Sequence, residues 1–206
     1  MKTNQELQEI IETTIYNLSL PKNPGNIYRP IEYILSLGGK RIRPFLTLVS
    51  CQMFNGNINK AIDLALGLEI FHNFTLLHDD ILDKAPIRRG KPTTHMVWNT
   101  EIALLSGDAM LILAYKFIQK ASPEILHQVL ELFSKTAIEV CEGQQFDMDY
   151  ETKEQVTTSE YLEMIRLKTS VLLGCCLKMG AIAAGASAMD TDLIYKAGEK
   201  IGRAHV

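Results

Sequence analysis

Apolar residues recur at helical spacing along most of the chain, in stretches separated by short polar segments. In the first stretch, Leu7, Ile11, Ile15 and Leu18 fall on one side of a helix. Read in this way, the pattern predicts helices at about 4–18, 27–37, 44–54, 60–83, 95–119, 123–149, 158–184 and 190–206. No pair of strands joined by hairpin turn residues stands out. The pattern therefore predicts an all-α protein built as a helical bundle.

Glycine and proline mark several of the predicted helix ends. Gly38 and Gly39 suit a left-handed helix end, because glycine adopts positive φ at little cost. Ser122 followed by Pro123 is typical of a helix start, with serine as the cap and proline in the first turn. Gly107 lies inside the helix predicted at 95–119, and we expect it to bend or split that helix.

The composition indicates a globular chain with a substantial core. Of its 206 residues 47% are apolar and 22% are charged, and the net charge is −3. These values exclude a disordered chain and an overall basic nucleic-acid binder. The cations gather near residues 40 and 90, which favours a small anionic ligand over an extended polyanion.

The cysteines and the apolar runs bear on cellular location. Cys51, Cys141, Cys175 and Cys176 show no metal-binding spacing, and two of them are adjacent, so we expect reduced thiols in a cytoplasmic protein. The first ten residues lack the apolar core of a signal peptide. No uninterrupted apolar run reaches transmembrane length, so no stable membrane insertion is expected.

The most distinctive stretch combines three acids with two arginines. Asp79 and Asp83 are one helical turn apart and point the same way, with Asp80 beside them. Carboxylate oxygens without cysteine suit Mg²⁺, which usually needs substrate phosphates to complete its coordination. Arg88 and Arg89 follow in a short loop, and guanidinium groups bind phosphate oxygens through paired hydrogen bonds. The combination predicts a metal–diphosphate site, although each half alone is also typical of a solvated surface.

A second basic group lies near the start of the third predicted helix. Lys40 and Arg43 are placed where free backbone N–H groups also attract anions. Taken alone, the segment is equally typical of a basic helix end on the surface. Arg41, between them, is interpreted as a surface residue.

Four motifs resemble those of the trans-type isoprenyl diphosphate synthases, the polyprenyl synthetase family. DDILDKAPIRRGKP at 79–92 resembles the first aspartate-rich motif, which reads DDxxD, a four-residue spacer and RRG. GGKRIRP at 38–44 is similar to the motif GGKxxRP, GQQFD at 143–147 to GQxxD, and Lys168-Thr169 to the KT element. The resemblance implies one domain over residues 1–206, folded as an isoprenoid-synthase-like helical bundle around a central cavity.

The resemblance also implies a role for each matched residue. Mg²⁺ would be bound by Asp79, Asp83 and Asp80. Isopentenyl diphosphate would be bound by Lys40, Arg43, His72 and Arg89, and the allylic diphosphate by Arg88 and Lys168. Gln144, Lys168 and Thr169 would face the reacting centre, with Asp147 supporting the site. From the residues alone, an ion pair of one arginine with an aspartate and a structural network around Gln144 and Asp147 remain open.

Product length is expected to depend on residues that precede the acids on the same predicted helix. Phe74 stands five positions before Asp79, about 7.5 Å away along a helix at the usual rise. In the family a bulky aromatic residue at this position, with Phe71 a turn below and Thr75 beside it, acts as a floor that favours short products. The motif has no insertion between its acids, so we expect products of C15 to C20, with C20 favoured. A packing role for Phe74 is the alternative.

The implied activity is head-to-tail condensation of isopentenyl diphosphate with dimethylallyl, geranyl or farnesyl diphosphate, in a cytoplasmic homodimer. The chain ends in AGEKIGRAHV, which resembles the segment before the family's second aspartate-rich motif. We therefore expect this chain to cover about the first two thirds of a family domain and to be inactive by itself.

Three other functions are considered. A terpene cyclase would bind only one diphosphate, so the second anion group at Lys40 and Arg43 argues against it. A non-catalytic related subunit should have lost acids that are intact here. A Mg²⁺-dependent phosphohydrolase would act without isopentenyl diphosphate.

Overall fold

The structure, a computed structural model, describes residues 1–204, and nearly all of its regular structure is helical. Within that range the α-helices are α1 (Asn4–Tyr16), α2 (Gly25–Ser36), α3 (Ile42–Met53), α4 (Ile62–Leu82), α5 (Thr94–Val97), α6 (Thr100–Ile118), α7 (Pro123–Glu151), α8 (Thr158–Ile165), α9 (Val171–Ala184) and α10 (Ala188–Ala204). A 3₁₀ turn occupies Ile58–Lys60, and a π-helical turn, Arg166–Ser170, joins α8 to α9. The all-α prediction is confirmed.

The helix ends follow their local chemistry. At the start of α1 the Thr3 hydroxyl accepts a hydrogen bond from the Glu6 amide at 3.2 Å, and the Glu6 carboxylate accepts one from the Thr3 amide at 2.7 Å. This reciprocal pair satisfies two amides that the helix leaves without partners. After α2, Gly38 and Gly39 have φ of +74° and +136°, so the predicted left-handed helix end is confirmed.

Two predictions about the middle of the chain are wrong. The predicted helix at 95–119 is divided between α5 and α6 rather than at Gly107, which lies inside α6. The break falls at Asn99, whose side-chain oxygen accepts a hydrogen bond from the Ile102 amide at 2.8 Å and so caps α6. The structure also contains a short antiparallel hairpin, β1 (Ile87–Arg88) and β2 (Lys91–Pro92), which the sequence pattern did not predict.

The chain divides into two compact units, which are described separately. The N-terminal unit comprises Lys2–Ile42 and Leu66–Phe117. Its core is formed by fully or almost fully buried side chains from α1, α2, α4 and α6, among them Leu7, Ile11, Ile31, Ile34, Leu68, Ile70, Phe71, Leu77 and Met110. This unit carries the acids at the end of α4, the hairpin and the turn after α2.

The C-terminal unit comprises Arg43–Ala65 and the chain from Ile118 onward. Helices α7, α9 and α10 and the π turn pack together in it, and their buried side chains include Val129, Phe133, Val171, Cys175 and Met179. The Ser50 hydroxyl donates to the Leu177 carbonyl at 2.6 Å, which joins α3 to α9. The expectation that all residues belong to one family domain stays a prediction.

One helical stretch in the described part of the chain, Thr158–Ala184, is long and apolar enough to cross a membrane by length and composition alone. The apolar runs in the sequence did not predict such a stretch. In the structure 78% of the most apolar 18-residue segment of this stretch is buried inside the protein. The apolar residues of this stretch therefore belong to the core of the C-terminal unit.

Candidate functional site

The acids at the end of α4 differ in their exposure. The Asp83 amide donates to the Asp79 carbonyl at 2.9 Å, so the helical turn continues to Asp83 and these two residues lie on one side of it. Asp83 is exposed and Asp79 is half-buried, whereas Asp80 is only 2% exposed. Two of the three predicted metal ligands are thus accessible, and the third points into the protein.

Arg88 forms an ion pair with the buried acid. Its Nε donates to Asp80 Oδ1 at 2.8 Å, and its Nη2 lies 3.5 Å from Asp79 Oδ2. Burial raises the pKa of the Asp80 carboxyl above its ordinary value, and the charge of Arg88 and its hydrogen bond oppose that rise. The alternative of an ion pair between one arginine and an aspartate is therefore realised at Arg88. The pair also fixes the direction of the guanidinium beside Asp79.

The two arginines of the hairpin contact different partners. Arg88 pairs with Lys91 across the ladder, and the intervening Arg89 and Gly90 have φ of +51° and +75°. Positive φ at both central residues is the requirement of the tight turn that matches strand twist. Thr93 closes the loop, because its hydroxyl donates to the Ala85 carbonyl at 2.7 Å. With the loop closed, Arg88 faces the acids and Arg89 faces the turn after α2.

Arg89 holds the double-glycine turn. Its Nη1 donates to the Gly38 carbonyl, and a Cβ at Gly39 would lie 2.8 Å from its Nη2, so the guanidinium packs where a side chain would be. Burial, and next the charge of Arg41, lower the pKa of the Arg89 guanidinium from its ordinary value. Lys40 follows in the same turn and is exposed. In the N-terminal unit, therefore, Lys40 and Arg89 are brought to the same turn, as their shared predicted role requires.

The prediction that Arg41 is a surface residue is wrong. Arg41 is 5% exposed, and its guanidinium donates to Glu69 at 2.7 Å and to the Leu35 carbonyl at 2.7 Å. Asn73 donates to the same Glu69 carboxylate at 3.0 Å. One signal in the sequence could have indicated this network, since Glu69 and Asn73 interrupt an otherwise apolar helix and buried polar groups require partners.

The predicted chain-length residues lie on α4 before the acids. The rings of Phe71 and Phe74 are 5.6 Å apart, and the ring of Phe74 lies edge-on to His78 at 4.7 Å. His78 itself fits against Gly107, where a Cβ would lie 2.2 Å from its Nε2. Phe74 is 8% exposed, so its ring is held on two sides. The contact of His78 with Gly107 was not anticipated from the sequence.

The remaining predicted site residues on α4 are His72, assigned to isopentenyl diphosphate, and Thr75, assigned to chain length, and both are half-buried. His72 lies two turns before Asp79 on the same side of the helix. The Thr75 hydroxyl donates to the His72 carbonyl at 2.8 Å, so it satisfies the backbone of its own helix. Both assigned roles stay predictions.

The C-terminal unit contains the second set of predicted residues. Lys168 Nζ lies 2.5 Å from Asp147 Oδ2, which joins the GQxxD segment of α7 to the KT element. Gln144 is half-buried, and its Nε2 is buried without a hydrogen-bond partner in the protein. Thr169 and Arg43 are half-buried as well. The structure thus brings Lys168 to the segment that carries Gln144 and Asp147.

The π turn is what positions Lys168. This turn, Arg166–Ser170, contains the KT element, and a Cβ at Gly143 of α7 would lie 2.2 Å from the Lys168 amide nitrogen. On the α10 side a Cβ at Gly202 would lie 2.5 Å from the Ser170 Cα. The π turn is therefore packed tightly between two glycines. Irregular turns of this kind are often found at functional sites.

Asp79 and Asp83 are suitable for Mg²⁺. Both present carboxylate groups on one side of a helix end, where Asp83 is exposed and Asp79 is partly exposed. Within residues 1–204 no group of three or more His, Cys, Asp or Glu side chains is arranged to hold a metal ion by itself. Mg²⁺ commonly uses one or two carboxylates and completes its shell with water and substrate phosphate, so a pair is sufficient. The Asp80 carboxylate is bonded to Arg88, and its assignment as a ligand stays a prediction.

Comparison with known proteins places this chain in a family. A model of the polyprenyl synthetase family matches residues 24–205. A geranylgeranyl diphosphate synthase from Methanosarcina mazei is 38% identical over 194 residues, covering 93% of this chain and 60% of that protein. A geranylfarnesyl diphosphate synthase from Aeropyrum pernix is 37% identical over 177 residues, covering 82% and 56% respectively. The chain thus spans somewhat more than half the length of these relatives.

Solved structures agree with these matches. A crystal structure of a geranylgeranyl pyrophosphate synthase matches with a TM-score of 0.96 and 47% identity, over 99% of this chain and 62% of that one. The geranylgeranyl pyrophosphate synthetase from Pyrococcus horikoshii matches with a TM-score of 0.92 and 36% identity, over 98% and 62%. The fold is therefore that of the helical isoprenoid synthases. Within that class, the chain belongs to the polyprenyl synthetase family.

Proposed function

We propose that the protein is a trans-prenyltransferase that condenses isopentenyl diphosphate with an allylic diphosphate head-to-tail. The main support is in the N-terminal unit, where an accessible pair of acids and a separate basic turn are both present. Asp79 and Asp83 suit a metal-bound diphosphate, while Lys40 and Arg89 suit a second anion. The names of the relatives, which are geranylgeranyl and geranylfarnesyl diphosphate synthases, support the same reaction.

For the allylic substrate, Asp79 and Asp83 would hold Mg²⁺, which neutralises charge on the departing diphosphate. Arg88 adds a fixed positive charge whose direction is set by its bond to Asp80 at 2.8 Å. Such a group needs no reorganisation when charge develops on the leaving group. We assign Lys168 the same task, with Gln144 and Thr169 near the reacting carbon atoms.

For isopentenyl diphosphate we propose Lys40, Arg43, His72 and Arg89 as ligands. Their task is to orient the double bond so that it attacks the allylic carbon, which removes most of the entropic cost of bringing two reactants together. The carbon–oxygen bond of the allylic substrate breaks, the new carbon–carbon bond forms, and a proton leaves to restore the alkene. The departed diphosphate is the proposed proton acceptor, so no nucleophilic side chain is required.

We propose a C15 to C20 product, with C20 favoured. The rings of Phe71 and Phe74 are buried and held in contact, and Phe74 is held further by His78. This rigid aromatic floor, with Thr75 beside it, would limit the length of the growing prenyl chain. The name of the relative from Methanosarcina mazei supports C20.

A homodimer and a cytoplasmic location complete the proposal. Helix α6 exposes a series of large apolar side chains to solvent, Leu104 at 48%, Leu105 at 54% and Ile112 at 62%. Exposed apolar surface of this kind is typical of a protein–protein interface, here with a second copy. Residues 1–206 are proposed to belong to a single polyprenyl synthetase domain.

The test is incubation of the full-length protein with Mg²⁺, isopentenyl diphosphate and, in turn, dimethylallyl, geranyl and farnesyl diphosphate. Mass spectrometry should show geranylgeranyl diphosphate as the main product. Hydrocarbon formed without isopentenyl diphosphate would indicate a cyclase instead, and phosphate release without a new carbon–carbon bond would indicate a hydrolase. Absence of any new prenyl diphosphate would refute the proposal.

A further inference from the structure

Arg41 has an unusual backbone conformation for a buried arginine. Its φ is +47°, in the left-handed region that few residues other than glycine adopt, and it follows directly after two glycines and Lys40. A non-glycine residue is held there only when its surroundings determine the conformation. The contacts of its side chain hold Arg41 in this backbone conformation.

The Arg41 guanidinium joins three helices of the N-terminal unit. It donates from Nη1 to Glu69 of α4 and from Nη2 to the carbonyl of Leu35 in the last turn of α2, both at 2.7 Å. Its Nε lies 3.5 Å from the carboxylate of Glu12 on α1. A planar guanidinium can make the first two bonds at once, whereas the single ammonium of lysine cannot reproduce their divergent directions.

The acid that faces Arg41 is itself fixed. Glu69 is 2% exposed, and its carboxylate also accepts from Asn73 at 3.0 Å. Glu12, the other acid near Arg41, has a side chain that is 56% exposed. The buried pair, and not the exposed one, therefore holds the Arg41 side chain in place, because breaking it would leave a buried charge unpaired.

The same turn is held from its other end by Arg89, which donates to the Gly38 carbonyl and packs on Gly39. The turn from Gly38 to Arg41 thus has one arginine at each end. Lys40 lies between them and is exposed. Its backbone position is set by contacts that do not involve its own ammonium group.

We infer that Arg41 is a positioning residue for isopentenyl diphosphate: by fixing the turn, it keeps Lys40 and Arg89 in the arrangement that binds this diphosphate. This inference rests on the proposed function. Arg41 is buried and points away from solvent, so it acts through its neighbours rather than by touching substrate. Loss of its contacts should impair binding of isopentenyl diphosphate and leave the allylic substrate unaffected, since the acid pair at Asp79 and Asp83 is on the far end of α4.

The first test is Arg41→Lys, which keeps the charge and removes the two diverging hydrogen bonds. The dissociation constant of isopentenyl diphosphate, measured by calorimetry without allylic substrate, should rise about tenfold or more, since small misplacements of binding groups carry large penalties. The KM for the allylic substrate should stay within about twofold of wild type, because the interactions it uses are unchanged. Two controls are Arg29→Lys, at an exposed arginine of α2, and Glu12→Gln, at the exposed partner of Arg41; both should bind as wild type.

A second variant changes the contact between the turn and Arg89. Gly39→Ala would place a Cβ 2.8 Å from the Arg89 guanidinium at a φ of +136°, so it should disturb the turn while leaving Arg41 in place. It should weaken isopentenyl diphosphate binding through displacement of Arg89, so it tests the turn and not Arg41 itself. If Arg41→Lys does not fold, Glu69→Gln decides the role of Arg41, because it keeps the shape of the buried partner and removes its charge; it should reproduce the selective loss of isopentenyl diphosphate affinity.

The outcomes separate the inference from the proposed function. Equal weakening of both substrates, or unchanged affinity for isopentenyl diphosphate, would show a purely structural role and overturn the inference. A full-length wild-type protein that binds isopentenyl diphosphate but forms no product would refute the proposed function, and the comparison of full-length variants by calorimetry would still decide the role of Arg41. A wild-type protein that does not bind isopentenyl diphosphate would overturn both.

Discussion

Replacing Gly143 by alanine tests how closely the position of Lys168 depends on helix packing. The added Cβ would lie 2.2 Å from the Lys168 amide nitrogen and 2.6 Å from the Leu167 carbonyl carbon. Ordinary contact begins near 3.4 Å, and both neighbours are backbone atoms that cannot turn aside. Helix α7 and the π turn must therefore separate by about 1 Å, which is the situation of an overpacked core.

The separation has two measurable consequences. The free energy of unfolding should fall by about 1–3 kcal/mol, the usual range for overpacking. For a domain of this size that corresponds to roughly 2–4 °C in Tm for each kcal/mol. Because Lys168 would move with its backbone, kcat/KM for the allylic substrate should fall by about a hundredfold, the effect expected of a 1 Å displacement.

The assays are thermal unfolding followed by circular dichroism and steady-state kinetics on the full-length protein. The matched control is Gly25→Ala, where the added Cβ meets only the flexible side chain of Arg29 at 3.4 Å. That exchange should leave kinetics unchanged and stability equal or higher by about 0.4–1 kcal/mol, since alanine restricts the unfolded chain. If Gly143→Ala kept the wild-type Tm and kinetics, the tight contact between α7 and the π turn would not be the feature that positions Lys168.

Three further predictions concern single side chains. Asp79→Asn should lower kcat by at least about a hundredfold at saturating Mg²⁺ and leave the helical circular dichroism unchanged, because a metal ligand is lost and the fold is kept; wild-type turnover would remove Asp79 from the metal site. Phe74→Ala should shift the product distribution, read by mass spectrometry, towards chains longer than C20, because the ring that closes the floor is removed; an unchanged distribution would make Phe74 a packing residue only. Hydrogen bonds from Lys153 and Thr157 lower the pKa of Glu160 to about 2, so the stability that Glu160 contributes is present above its ordinary pKa near 4.5 and lost as pH falls towards 2. Glu160→Gln should therefore show a smaller loss of Tm between pH 5 and about pH 2.5 than wild type, and an identical loss would contradict this assignment.

The sequence predicted most of the helices because their signals are local. Apolar spacing and the glycines after α2 are read directly along the chain. The start of α7 at Pro123 agrees with the predicted proline in the first turn, whereas the Ser122 side chain makes no capping hydrogen bond. The break at Asn99 was missed because a capping asparagine is a weaker signal than the glycine at 107. The hairpin was missed because its strands are only two residues long, too short for an alternating pattern.

The site was predictable where its chemistry lies within a short segment. The acids of α4 and the arginines of the hairpin are close in sequence, and the structure joins Arg88 to Asp80. Contacts between distant segments were not predictable in the same way. Arg41 and Glu69 are separated by 28 positions, so their pairing could not be read from local spacing, and the contact of His78 with Gly107 depends on how two helices pack.

The π turn has a consequence for insertions and deletions. A π turn contains one residue more than an α turn, and one residue of an α-helix corresponds to a rotation of about 100°. Deleting a single residue from Arg166–Ser170 would allow a continuous α-helix with α8 and α9 in nearly the same relative rotation, because the π turn absorbs its extra residue locally, but the bulge that packs the Lys168 backbone against Gly143 would be lost. A relative without the extra residue would need a different packing of α7 at Gly143, or a different side chain next to the aspartate at 147. Length variation should therefore be tolerated in the segment between α7 and α8 and rejected in this one.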